Sequence, residues 1–145
     1  MRSGEAALLT NLCVRSKARW GYDSAFLDAC LEELSVAADA PPDRLAVAES
    51  DGSVVGVVEI SIEDGIAYLE KLFVAPEAMG QGVGRTLIGW AKSAAKKAGA
   101  SALIIESDPN AVPFYRRMGA IDAGLSPSRS IAGRILPRLE INLAG

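Results

Sequence analysis

Histidine is absent from this sequence of 145 residues. Its absence excludes the Ser-His-Asp and Cys-His mechanisms, histidine zinc sites and the iron site made of two histidines and a carboxylate. Most classes of hydrolase are excluded with them. The sequence therefore predicts no metal site and leaves acid-base chemistry to other side chains.

Cysteine is also scarce, since Cys13 and Cys30 are the only two. They are too few for a secreted disulfide scaffold, and neither belongs to a CxxC motif. Both fall within helical apolar patterns, and no histidine is present to lower a thiol pKa. We interpret them as small core residues of a protein from a reducing cytoplasm.

A strong net charge and a long apolar run are missing too. Fifteen basic and 18 acidic residues give a net charge of −3, so no overall field attracts nucleic acid or an anionic membrane. No window approaches the roughly 18 apolar residues of a membrane span, and no signal peptide pattern begins the chain. We expect a soluble cytoplasmic protein without nucleic-acid or membrane partners.

Half of the residues are apolar and 23% are charged, a balance that supplies one buried core. We expect residues 1–145 to form a single domain. Apolar spacing predicts a first helix over residues 5–18 and a second helix that Asp23 or Ser24 caps and that ends before Pro41. The predicted core stripe of the second helix contains Phe26, Leu27, Cys30, Leu31 and Leu34.

After the prolines the pattern changes to β-branched runs separated by Asp51-Gly52 and Asp64-Gly65, which are strong hairpin signals. They predict a meander of three antiparallel strands. The rest of the chain predicts, in order, a helix over Gly82–Ala98, a strand over Ala102–Glu106, a short helix over Pro109–Met118 and two strands within Ile121–Leu143, with a surface loop over Gly124–Gly133. The predicted fold is α+β, in the order ααβββαβαββ.

The glycine-rich turn Met79-Gly80-Gln81-Gly82-Val83-Gly84-Arg85 lies between a predicted strand and a predicted helix. At a helix start the backbone N–H groups lack partners within the helix, and glycine lets an anion approach them. The diphosphate of a cofactor fits such a turn, although a plain helix start is the alternative. The spacing matches neither the dinucleotide fingerprint GxGxxG nor the phosphate-binding GK[ST] motif.

Three motifs in this order resemble the GNAT superfamily of acyl-coenzyme A dependent N-acetyltransferases. They are Leu72-Phe73-Val74-x-Pro76, Gly82-x-Gly84-Arg85-x-Leu87 and Phe114-Tyr115-x-x-x-Gly119. The resemblance covers roughly residues 44 to 125. It implies a mixed, mainly antiparallel sheet with helices on both faces and splayed central strands.

The resemblance also implies how acetyl-coenzyme A is held. Pantetheine would enter between the strands Ile66–Val74 and Ala102–Glu106, beside Leu72, Phe73 and Val74, whose main-chain amides would polarise the thioester carbonyl. The diphosphate would bind the turn formed by Gly80, Gln81, Gly82, Val83, Gly84 and Arg85.

The sequence departs from the family pattern in three places. Met79 replaces the usual Gln or Arg, and Asp108 replaces the usual Asn, so either Asp108 or the nearby Asn110 would contact the pantetheine arm. Such folds also normally begin with a strand, and Met1–Gly4 is too short and polar to form one. Either the start lies upstream or the fold tolerates a bare sheet edge.

An amine attacks a thioester only when its nitrogen is uncharged, so a group must accept its proton. Without histidine, the candidates are carboxylates. Glu70 interrupts an apolar strand just before the splayed segment and is our first candidate for the base. Glu59, on the neighbouring strand, is the second, and the two could form a water-linked pair. Tyr115 matches the family's general acid, which protonates the leaving thiolate; a core tyrosine is the alternative.

Trp20 and Tyr22 lie between the first two helices, where this family builds its acceptor wall, and Arg134 lies near the end of the chain, where it could bind an acceptor carboxylate. The predicted function is transfer of an acetyl group from acetyl-coenzyme A to a primary amine of a small molecule or peptide. A catalytically silent module that binds or senses coenzyme A is the alternative. A homodimer is possible, as in many members of the family.

Overall fold

A mixed six-stranded sheet organises the part of the chain that the computed structural model describes, residues 5–37, 40–128 and 131–143. The strands are β1 (Leu45–Ser50), β2 (Ser53–Glu63), β3 (Ile66–Val74), β4 (Ala102–Glu106), β5 (Ile121–Pro127) and β6 (Ile135–Asn142). Their order in the sheet is β1-β2-β3-β4-β6-β5. All neighbours are antiparallel except β3 and β4, which confirms the predicted mixed, mainly antiparallel α+β fold.

Five α-helices accompany the sheet within these ranges. They are α1 (Ala6–Ala18), α2 (Ser24–Ala29), α3 (Leu31–Leu34), α4 (Val83–Lys97) and α5 (Val112–Arg117), with 3₁₀ turns at Pro76–Ala78 and Pro109–Ala111. None of these helices is both long enough and apolar enough to cross a membrane.

The second predicted helix is divided into α2 and α3, so the observed order contains one helix more than predicted. Asp23 caps α2, since its carboxylate accepts a hydrogen bond from the N–H of Phe26 at 2.8 Å. Cys30 separates the two helices, although its backbone is helical and its carbonyl accepts a hydrogen bond from the N–H of Leu34. Cys30 and Leu34 lie one turn apart and are buried, whereas Leu31 is about half exposed, so the prediction that Leu31 belongs to the core is wrong.

The predicted meander is confirmed. Asp51 and Asp64 have φ values of 51° and 50°, and the glycines after them also have positive φ, as two-residue hairpin turns require. Strands β1, β2 and β3 follow one another through these turns.

Helices cover both faces of β2 and β3. A Cβ atom added at Gly56 of β2 would come within 2.9 Å of Val83 and Leu87, which places α4 against that face. Helix α1 packs on the other face, where Cys13 is fully buried. Burial raises the pKa of the Cys13 thiol to about 12. Both cysteines are buried core residues, as predicted.

The end of the chain differs from the prediction, because Gly124–Pro127 belongs to β5 rather than to a loop. Leu125–Pro127 pair with β6 after an irregularity between Asp122 and Leu125. The side chains of β5 are mostly exposed, so its sequence lacks the apolar alternation that marks a half-buried strand. We predicted that residues 1–4 are too short and polar to form the usual first strand. These residues lie outside the described part of the chain.

Candidate active site

The centre of the sheet opens between β3 and β4. These two strands pair only at Ala67 with Leu103 and at Tyr68 with Ile104. Beyond this point β3 continues to Val74 and remains paired with β2 on its other side. The backbone of Leu69–Val74 that faces β4 therefore has no ladder partner in β4, which confirms the predicted splay.

A cleft of about 1040 Å³ occupies this opening. One wall is the strand segment Leu69–Val74, and the opposite wall is Ile105–Asn110 with residues of α5. The start of α4 closes one end, while Lys17 and Trp20 of the α1 region and Arg134 line the other part of the wall. A volume of this size is at the upper end of the range for small-molecule sites.

The start of α4 is a glycine-lined cradle. Gly82 is its N-cap residue, has a φ of 82° and makes no side-chain cap. A Cβ added at Gly80 or Gly82 would meet no atom within 4 Å, so both positions border open space. The first helical N–H groups consequently keep the partial positive charge of a helix start, without a side chain in front of them. The cradle suits a diphosphate.

Gly84 has a different role, because it allows α4 and α5 to approach each other. A Cβ added there would lie 3.1 Å from the ring of Phe114. Phe114 in turn makes an edge contact with Tyr115, with ring centroids 5.1 Å apart. The cradle and Tyr115 are thus joined through one aromatic contact.

A β-bulge positions Glu70. Glu59 of β2 lies opposite Lys71, whereas the next residue, Ile60, lies opposite Leu69, so Glu70 is the extra residue of β3. The hydroxyl of Ser61 donates a hydrogen bond of 2.7 Å to the Glu70 carboxylate. Glu70 lines the cleft.

The same bulge separates Glu59 from Glu70. Glu59 instead accepts a hydrogen bond of 2.9 Å from the Lys71 ammonium, in an ion pair whose side chains are largely buried. Glu59 does not line the cleft. Glu59 and Glu70, which we expected to form a pair, are therefore held by different partners. The charge of Glu59 balances the charge of Lys71.

Tyr115 lies on α5 in the wall of the cleft, with only 7% of its surface exposed. Burial raises the pKa of the Tyr115 phenol far above its ordinary value, and the negative charge of Asp108 raises it further. The phenol of Tyr115 therefore stays protonated well beyond the neutral range.

Asp108 is the centre of a polar cluster, which consists of Lys17, Tyr22, Asp108, Asn110 and Arg134. Its Oδ1 atom accepts hydrogen bonds of 2.9 Å from the backbone and the side chain of Asn110. Its Oδ2 atom accepts 2.8 Å and 3.4 Å hydrogen bonds from the Tyr22 hydroxyl and the Lys17 ammonium, and Arg134 lies 3.6 Å away. The cluster joins α1, the end of β4 and the start of β6.

These contacts determine the ionisation of Asp108. Burial by itself raises the pKa of this carboxyl, but hydrogen bonds from Asn110 and Tyr22 and the charge of Lys17 outweigh burial, and the pKa lies below its ordinary value. Asp108 is therefore an anion throughout the neutral range.

We predict that Asp108→Asn is less stable than the wild type at pH 7 and that this difference shrinks in acid. The folded pKa is lower than the value of about 3.9 in an unfolded chain, so the stabilisation is complete above that pH and is lost as the pH falls through the folded pKa. Urea midpoints at pH 7 and pH 3 measure the difference. Asp122→Asn, at an exposed ion pair with Arg116, is the control. A difference that stays constant with pH contradicts the prediction.

Most predicted site residues line the cleft. They are Trp20, Glu70, Leu72, Phe73, Val74, Gly80, Gly82, Val83, Gly84, Arg85, Asp108, Asn110, Tyr115 and Arg134. Three predicted residues do not line it: Glu59, which is bound to Lys71; Gln81, which is exposed; and Tyr22, whose hydroxyl contacts the wall residues Asp108, Asn110 and Arg134.

Sequence reasoning missed Ser61 and Lys17. Ser61 could have been found by counting the hairpin from Asp64-Gly65, which places it opposite Tyr68 and near Glu70. No sequence signal distinguishes Lys17 from the other charged residues of α1, because its partner is 91 positions away.

Comparisons with known proteins concern the family and the fold of this chain. The family model described as "Acetyltransferase (GNAT) domain" matches residues 8–129. An IAA acetyltransferase of Azospirillum brasilense is 36% identical over 91 residues, which are 59% of this chain. The match spans 60% of the length of that protein.

Solved structures give the same result for the fold. A nourseothricin acetyltransferase is 32% identical, with a TM-score of 0.64, over 75% of this chain and 69% of that one. The PaiA N-acetyltransferase of Thermoplasma acidophilum, solved in complex with coenzyme A, is 16% identical, with a TM-score of 0.75, over 98% of this chain and 95% of that one. The second likeness concerns the fold alone.

Proposed function

This chain belongs to the GNAT family of acetyltransferases, and from that premise we propose that it transfers an acetyl group directly from acetyl-coenzyme A to the nitrogen of a primary amine. The opening between β3 and β4 is the observation that carries the proposal. It joins the glycine cradle, the segment of β3 that has no ladder partner in β4, Glu70 and Tyr115 in one cleft.

The cleft offers a separate place for each part of acetyl-coenzyme A. Residues 80–85 bind the diphosphate through backbone N–H groups at the start of α4. The main chain around Leu72 and Val74 binds the pantetheine arm and donates to the thioester carbonyl, as an oxyanion hole does. Asn110 and Asp108 lie on the opposite wall. When bound, the cosubstrate supplies an activated acetyl thioester.

Glu70 is the general base of this proposal. Its carboxylate lies on the β3 wall and is held by the Ser61 hydroxyl, which fixes its direction. It accepts the proton of the acceptor ammonium, directly or through water, and so produces the uncharged amine that can attack. Glu59 has a supporting role, because it balances the charge of Lys71 next to Glu70.

Tyr115 is the general acid. Its phenol is protonated at neutral pH, as an ordinary phenol with a pKa of about 10 also is, and it lies on the wall opposite β3. As the carbon–sulfur bond breaks, Tyr115 donates its proton to the sulfur, so coenzyme A leaves as a thiol rather than as a thiolate.

The acceptor is an amine of a small molecule or a peptide terminus. The names IAA acetyltransferase and nourseothricin acetyltransferase refer to different compounds. Acceptor loops vary freely on one fold. Trp20 and the polar cluster around Asp108 form the wall that the acceptor meets.

Thermal unfolding with coenzyme A, acetyl-coenzyme A, NAD and ATP tests the binding site. A ligand at a hundredfold excess over its Kd adds about 2.7 kcal/mol of stability, and we expect this from the two coenzyme A forms only. Gly82→Ala should lose most of the increase in Tm. Gly99→Ala is a matched control, because Gly99 also has a positive φ and open space around it but follows the opposite end of α4.

Both variants should lose similar intrinsic stability, roughly 1–2 kcal/mol from the left-handed backbone conformation. Stabilisation by NAD or ATP alone contradicts the proposal. Release of free thiol in the presence of a panel of amines then tests transfer. Binding of acetyl-coenzyme A without thiol release from any amine indicates the silent binding module instead.

A further inference from the structure

The polar cluster around Asp108 has more positive than negative charge. Lys17 and Arg134 both contact the single carboxylate of Asp108, at 3.4 Å and 3.6 Å. The side chains of Lys17 and Arg134 are only 12% and 20% exposed, and both line the cleft. Tyr22 and Asn110 add no charge. The cluster therefore presents one uncompensated positive charge to the cleft.

Asp108 has little capacity for a further cation. Its two oxygens already accept from Asn110, Tyr22 and Lys17. Arg134 has capacity to spare, because a guanidinium carries five N–H donors. Within the described residues, its hydrogen bond goes from Nη2 to the Tyr22 hydroxyl at 2.9 Å. The group that completes this site is thus an anion, and a carboxylate matches the planar fork of the guanidinium.

Aromatic rings hold Arg134 in place before any ligand binds. Tyr22 and Phe26 stack with their centroids 4.1 Å apart and their planes at 13°. The guanidinium carbon of Arg134 lies 4.9 Å from the Phe26 centroid and 5.4 Å from the Tyr22 centroid. A cation fixed in this way loses little freedom when an anion binds it, which increases affinity.

Two more carboxylates line the cleft besides that of Asp108. Glu70 is on the β3 wall and Glu106 is at the end of β4, whereas the charge of Lys71 is balanced by Glu59. The remaining basic side chains of the wall are Arg19, Arg85 and Arg117. An acceptor whose ammonium faces Glu70 and whose anionic group faces Arg134 meets the opposite charge at both ends.

We propose that the acceptor carries a carboxylate in addition to its amine, and that Arg134 and Lys17 bind this carboxylate while Asp108 and the stacked rings hold the two cations in position. The acceptor class is therefore amino acids and their derivatives with a free carboxylate. The inference rests on the proposed acetyl transfer and names its substrate class.

Matched pairs of acceptors test this inference. We would measure kcat/KM for glycine, β-alanine, 4-aminobutanoate, 5-aminopentanoate and lysine against their methyl esters, which keep the amine and lose the negative charge. We expect the acid form to be preferred for at least one pair. In Arg134→Gln and Lys17→Gln the acid-to-ester ratio should fall about tenfold to a hundredfold, the range of a charge-assisted hydrogen bond, with partial rescue in Arg134→Lys.

Arg44→Gln is the control, because Arg44 pairs with Asp43 outside the cleft. The increase in Tm with coenzyme A reports that each variant is folded. Equal or better turnover of every ester in the wild type, or an unchanged ratio in Arg134→Gln, overturns the inference and leaves acetyl transfer intact. If the protein still binds acetyl-coenzyme A but no amine causes release of the coenzyme A thiol, both the proposed transfer and the inference are overturned.

Discussion

Replacing Glu70 by glutamine is expected to lower kcat by about 10²–10⁴-fold at neutral pH, with little change in the KM for acetyl-coenzyme A. Glutamine has nearly the same shape and can still bond to Ser61, but it cannot take a proton from the acceptor ammonium. The loss should decrease as the pH rises toward about 10, the pKa of a simple amine, because solvent then supplies the uncharged nucleophile. Steady-state rates from pH 6 to pH 10 measure it.

Glu63→Gln is the matched control for this experiment. Glu63 lies at the exposed end of β2 and does not line the cleft. Its replacement should leave the pH profile unchanged. A Glu70→Gln enzyme with wild-type kcat at pH 7, or with the same fractional loss at every pH, would remove Glu70 from the role of base.

Replacing Tyr115 by phenylalanine is expected to have the second large effect, a loss in kcat of about 10²-fold or more. The variant retains the ring and its edge contact with Phe114 but lacks the proton that the leaving sulfur needs. Because the lost interaction forms only as the carbon–sulfur bond breaks, kcat and kcat/KM should fall together. The increase in Tm with coenzyme A should be retained.

Tyr68→Phe tests whether the loss of any tyrosine hydroxyl near the sheet centre has this effect. Tyr68 lies on β3 opposite Ser61 and does not line the cleft. The Tyr68→Phe variant should have the same kcat as the wild type. If Tyr115→Phe binds coenzyme A and retains the full kcat, Tyr115 is a packing residue and not the acid.

Local signals in the sequence were sufficient to predict most of the helices and strands. Two Asp-Gly pairs determine the hairpin turns because both residues adopt positive φ there, and β1, β2 and β3 begin and end within a few residues of the prediction. Helix α4 begins at the residue after Gly82. The prediction failed where the local signal was weak, in the exposed edge strand β5 and at the break between α2 and α3.

Within the site, the pairing of Glu59 with Glu70 shows what local reasoning misses. Counting back from the Asp64-Gly65 turn in regular register places these two residues opposite each other. The bulge inserts one residue, so Lys71 takes the place opposite Glu59 and Ser61 holds Glu70. A bulge changes every pair beyond it, and the sequence contains no glycine or proline that announces this one.

The polar cluster around Asp108 depends on contacts between distant parts of the chain. Tyr22 and Arg134 are 112 positions apart and Lys17 and Asp108 are 91 apart, yet each pair lies within hydrogen-bonding distance. Four members of the cluster were predicted as site residues, two for the acceptor and two for the cofactor, but nothing in the sequence indicates that they meet one another or Lys17. Their common site follows only from the sheet order, which places the end of β4 next to β6.

The two pairs that join β3 to β4 also explain why the cleft lies at the centre of the sheet. The sheet consists of two half-sheets, β1-β2-β3 and β4-β6-β5, and the strands between them meet only at Ala67–Leu103 and Tyr68–Ile104. Beyond Tyr68 the two strands no longer pair, so one side of the cleft is bounded by strand backbone. A chain whose β3 and β4 paired along their whole length would have no such cleft.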